Sequence, residues 1–100
     1  MIDPEDCRDM AGVRAGIDEL DAEIVKRLAR RFRFIEAAAR IKPRRDQVRD
    51  EPRKSEVIAN ARRAARQNGA PEELIGRLYE MLVEGSIAHE FDEFDARGQE

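Results

Sequence analysis

Tryptophan is absent, tyrosine occurs once, and the 100 residues hold one cysteine, four prolines and six glycines. A lone thiol, Cys7, cannot form an internal disulfide and reads as an unremarkable side chain near a mobile end. The acidic start MIDPEDC has neither the basic nor the apolar region of a secretory leader. No stretch approaches the ~20 apolar residues of a membrane-spanning helix. A cytoplasmic chain with no membrane partner is the expectation. A basic excess is missing as well, since the net charge is −3. That argues against a nucleic-acid partner, because phosphate binding draws on a basic domain or a clustered basic face.

Apolar and charged residues each make up 41% of the chain, and Ala, Leu, Arg and Glu outweigh the strand formers. This composition points to an all-α fold. A chain of this length is one domain, residues 1–100, with about 1–8 and 96–100 expected to be flexible. It buries only about 60 to 65% of its unfolded surface, so its core is thin and an obligate oligomer would relieve it.

Val13, Ile17, Leu20, Ile24, Leu28, Ile35 and Ala38 recur at spacings of three, four and seven. They predict one long helix from about Asp9 to Ile41, ended by Pro43. At ~1.5 Å per residue it would run about 50 Å, too long for a compact monomer of this size to cover, so a second copy of the chain is the simplest partner. Residues 43–52, PRRDQVRDEP, read as a loop between prolines. A second helix is predicted from Arg53 with Val57, Ile58, Ala61 and Ala65 on its apolar side and Gly69 as its cap. A third follows with Pro71 in its first turn and Glu72 and Glu73 at the favourable end of the dipole. It carries apolar residues nearly all round, which predicts burial nearly all round. The chain has no internal repeat and no low-complexity tract.

Two cations interrupt the stripe of the first helix. At ~100° per residue with Val13 at zero, Ile24 falls near 20°, Arg31 near 0° and Lys42 near 20°, so both cations face the side the helix buries. Arg27, Arg30, Arg33 and Arg40 lie on its flanks or back and are expected in solvent. A cation held in an apolar setting implies an anion, because burying it unpaired costs several kcal/mol or more. Glu90, among the apolar residues of the third helix, is one candidate; a bound anionic ligand is the other, and the spacing favours neither. Arg14 flanks the same stripe about 25 Å from Arg31 along a straight helix, too far for one small metabolite to touch both. If both serve one ligand, Arg14 comes from the other subunit of an antiparallel pair.

VRAGIDELDAEIVKRLARR, Lys42, VRDEPR and VEGSIAHEF together resemble the all-helical class of chorismate mutases, from about Pro4 to Phe94. PEDC with Val13, Arg14 and Ile17 is also similar to isochorismate-pyruvate lyase, which shares that fold. The resemblance implies an intertwined homodimer of three-helix chains with two shared sites for a small dicarboxylate, chorismate, and no metal or cofactor. Carried over by position, Arg14 matches the arginine given across the dimer to a substrate carboxylate, and Arg31 the carboxylate clamp within the subunit. Lys42 matches the lysine at the enolpyruvyl ether oxygen, and Arg53 the basic residue opening the second helix. Asp50 matches the loop residue near the ring hydroxyl, Ser86 a polar contact to substrate, and Glu90 the second donor to the ether oxygen. Some members carry glutamine at Glu90, so the acid is expected to act in its protonated form. Lys54 stands where some mutases place a glutamate that contacts the ring hydroxyl. His89 is expected to be solvated or structural. Ser86 and the VRD of the loop look like the mutase pattern, whereas the lyases tend to have a bulkier aromatic near Ser86 and no acid at Asp50. Three readings remain in view: a mutase, a lyase releasing pyruvate, and a non-catalytic helical dimer.

Overall fold

The computed structural model describes residues 2–98, and every regular element among them is helical. Helix α1 spans Met10–Ile41, α2 Glu51–Gln67 and α3 Glu72–Ala96, with 3-10 turns at Pro4–Asp6 and Arg45–Gln47. The all-α, three-helix expectation is met. The residues group into two compact units, Met1–Phe34 and Ile35–Glu100, and α1 contributes to both. Among the described residues no helix is long and apolar enough to cross a membrane. Of the ends expected to be flexible, residues 1, 99 and 100 lie outside the described range.

In the first unit, Asp3 accepts a hydrogen bond from the Glu5 amide at 3.1 Å and closes the first 3-10 turn. Asp9 Oδ1 accepts from the Gly12 amide at 2.9 Å, occupying one of the orphan donors at the start of α1. Ile2, Pro4 and Cys7 line an apolar recess with Val13, Gly16 and Ile17. Much of the apolar stripe in this unit lies open all the same: Ile17 is 51% exposed, Leu20 45% and Ile24 53%. A continuous apolar face of this kind marks an interaction surface more often than a free one.

In the second unit α2 packs on α3. Ala39, Val48, Val83, Ile87 and Phe94 form the core, with Val57, Ile58 and Phe91 packed against it. Phe94 is fully buried. The end of α1 agrees with the sequence, since the last bond runs from the Lys42 amide to the Ala38 carbonyl and Pro43 follows.

Two boundaries and the loop between the first two helices differ from expectation. Helix α2 begins at Glu51, two residues before Arg53, because Asp50 caps it by accepting from the Arg53 amide at 3.0 Å. Pro52 therefore sits in its first turn, where the missing amide proton costs nothing, rather than closing the loop. The loop itself is not irregular throughout, since Arg45–Gln47 form a 3-10 turn. Pro71 is the N-cap of α3 rather than a residue of its first turn. The expectation that α3 is buried all round fails for a single chain: Leu78 is 53% and Met81 75% exposed, while Val83, Ser86, Ile87, Glu90 and Phe94 are buried. One chain supplies packing atoms to only one side of that helix.

Candidate active site

Lys42 follows the last residue of α1, and Glu90 lies about five turns into α3. Lys42 Nζ donates to Glu90 Oε2 at 2.7 Å and lies 3.4 Å from the Val48 carbonyl oxygen. Glu90 is 5% exposed, whereas the Lys42 side chain keeps 28% of its surface. The pair is thus a charge-assisted hydrogen bond with a buried acid and a cation that solvent can reach. The internal partner that the helical register allowed for Lys42 is present. Lys42 also lines an open recess of about 560 Å³ with Gln47, Arg49 and Asp50. An anion entering that recess would meet the ammonium.

The other expected residues fall into two groups. Ser86 is 3% exposed, one turn before Glu90, and its hydroxyl donates to the Leu82 carbonyl at 2.7 Å. Asp50 caps α2, and the exposed Arg53 guanidinium is paired with Glu56 in the next turn. These residues share the second unit with Lys42 and Glu90. Arg14 and Arg31 belong to the first unit, where Arg14 is exposed and Arg31 half-buried.

An ionic network that helical periodicity does not reveal fastens the loop. Arg49 reaches Glu84 with both Nη atoms, at 3.0 and 2.9 Å, and Glu51 at 3.1 Å. Lys54 Nζ bridges Glu80 at 2.8 Å and Glu84 at 2.7 Å. The hydrogen bonds from Arg49, then those from Lys54, pull the Glu84 carboxyl down to about 2. Glu80 and then Glu84 raise Lys54 above the ordinary lysine value. Lys54, which stands where the resemblance expects a glutamate, is therefore committed to α3. Arg45 stacks 4.4 Å over the Phe91 ring and binds Asp95 through two bonds, at 2.9 and 3.3 Å. The segment carrying Val48, Arg49 and Asp50 is thus pinned to α3 at two places. His89 is half-buried, with Nε2 2.9 Å from Glu36 Oε2, which fits the structural role expected of it.

The described residues thus form an all-helical chain in which a buried acid is bonded to a lysine that lines an open recess. The chain belongs to the chorismate mutase type II family, which it matches over residues 13–91. It is also 30% identical over 87 residues to isochorismate pyruvate lyase of Pseudomonas aeruginosa, covering 87% of this chain and 86% of that protein.

Proposed function

We propose that this chain is a chorismate mutase, converting chorismate to prephenate without metal or cofactor. The observation that carries the reading is the Lys42–Glu90 pair, a fixed cation and a buried acid 2.7 Å apart. In the rearrangement the ether C–O bond breaks as a C–C bond forms, and no atom enters or leaves. Negative charge grows on the ether oxygen, and the ring and enolpyruvyl group must be held in a compact, chair-like shape. Lys42 meets the growing charge, and a preorganised donor of this kind is worth about 3 kcal/mol of barrier. Glu90 in its protonated form gives the second hydrogen bond to that oxygen. Arg31 and Arg14 of the partner subunit hold the two carboxylates, because a guanidinium grips a carboxylate at two points. Arg53, Asp50 and Ser86 complete the contacts to the ring side.

The partner subunit enters because Arg14 and Arg31 sit about 25 Å apart on one helix, at ~1.5 Å per residue. The open stripe of Ile17, Leu20 and Ile24 supports a homodimer that would cover it. Small Ser86 and acidic Asp50 favour the mutase. The similarity to isochorismate pyruvate lyase supports a second reading, in which the same C–O bond breaks while a ring hydrogen moves to the enolpyruvyl carbon and pyruvate leaves. Incubating the purified protein with chorismate and, separately, with isochorismate decides between them. Prephenate from the first, lost in Lys42→Ala, is the expected result. Pyruvate from the second without prephenate from the first would establish the lyase. Neither product would leave the helical dimer without catalysis.

A further inference from the structure

The face of α3 next to Glu90 carries a second group of ligand-type side chains that the rearrangement does not use. His89 and Glu93 are four residues apart on α3, so they lie one above the other on the helix surface. Glu36 of α1 joins them: one donor atom from each of the three lies within 4.8 Å of the others, and Glu36 Oε2 is 2.9 Å from His89 Nε2. All three side chains are half-buried, held by their helices yet open to solvent.

We propose that Glu36, His89 and Glu93 form a divalent transition-metal site that staples α1 to α3, with Zn²⁺ the fitting ion. The donor set is one imidazole and two carboxylates. Two carboxylates converging on one imidazole gather the lone pairs and negative charge that a divalent cation satisfies. The nitrogen ligand suits Zn²⁺ and its first-row neighbours, and three protein ligands leave a position for water. Calcium is disfavoured, since it takes six to eight oxygens and has little use for imidazole. The staple is structural, since an ion at Glu36 and His89 joins the end of the long helix to the helix that carries Glu90.

Isothermal titration of the untagged protein with Zn²⁺ tests this directly, with thermal melting alongside. One ion per chain is expected, with a melting temperature that rises with Zn²⁺ and falls back on adding a chelator. His89→Asn and Glu93→Gln should each weaken binding at least ~10-fold, because losing even a supporting partner of a ligand costs that much. Cys7→Ser should bind as the wild type does, which places the ion away from the thiol. Absence of saturable binding at one ion per chain would overturn the proposal. So would undiminished binding by Glu93→Gln, a variant of a half-exposed residue that keeps the result readable even if His89→Asn folds poorly. In either case Glu36 and His89 are a hydrogen-bonded pair beside Glu93 and no more.

Discussion

Lys42 stands where Pro43 forces the chain out of α1, and that single turn of sequence gives it its position: helical enough to share the buried register, free enough to reach Glu90. The proposed role of Glu90 as the second donor has a consequence for substitution. Glu90→Gln keeps an N–H donor at that position and should retain turnover of chorismate, whereas Glu90→Ala should lose about 100-fold. Steady-state rates check it, and equal losses in the two variants would remove Glu90 from the chemistry. Lys42 and Glu90 were legible from the sequence because a helical register places a residue on a face without knowledge of any other element, whereas Ser86 entered through the family resemblance. The partners of Arg45, Arg49 and Lys54 were not. Their targets Asp95, Glu84 and Glu80 lie 26 to 50 residues away, and long surface side chains pair by tertiary proximity that no periodicity encodes.

The elements end where local chemistry ends them. Gly69 closes α2 at φ +71°, with Ala70 donating to the Ala65 carbonyl at 2.8 Å and Gly69 to that of Arg66 at 3.4 Å. Gly69→Ala should cost about 1 kcal/mol in chemical denaturation, because a Cβ is strained in that left-handed conformation. The glycine cap was readable in the sequence. The two-residue shift at the start of α2 was not, because Pro52 serves equally as a loop end and a first-turn residue, and only the bond from the Arg53 amide to Asp50 decides between them. The Arg49–Glu84–Lys54 network carries a pH signature of its own. Glu84 titrates at about 2 in the folded chain against 4.5 for the ordinary group, so its folded pKa is depressed. Its contribution is present in full above 4.5 and disappears as pH falls toward 2. Wild type should therefore exceed Glu84→Gln in stability at neutral pH, with the gap closing across that acid window. A gap that stays constant from neutral pH to pH 2 would show that the ion pairs add nothing.

At the scale of the whole molecule, a single chain leaves the stripe of α1 and part of α3 uncovered. The core of the second unit has Phe94 at its centre, and Phe94→Ala should cost about 3 to 5 kcal/mol, a large share of what a domain of this size holds in reserve. The proposed function requires one site to be completed by two chains, and subunit mixing tests that most directly. Arg14→Ala and Lys42→Ala are each expected to be nearly inactive toward chorismate. Unfolded together and refolded as a mixture, they form hybrids in which one site loses both groups and the other keeps both. In a randomly paired symmetric dimer, activity should return to about a quarter of the wild-type level. A mixture no more active than its separate components, from chains that elute as dimers, would show that Arg14 and Lys42 do not meet across two subunits.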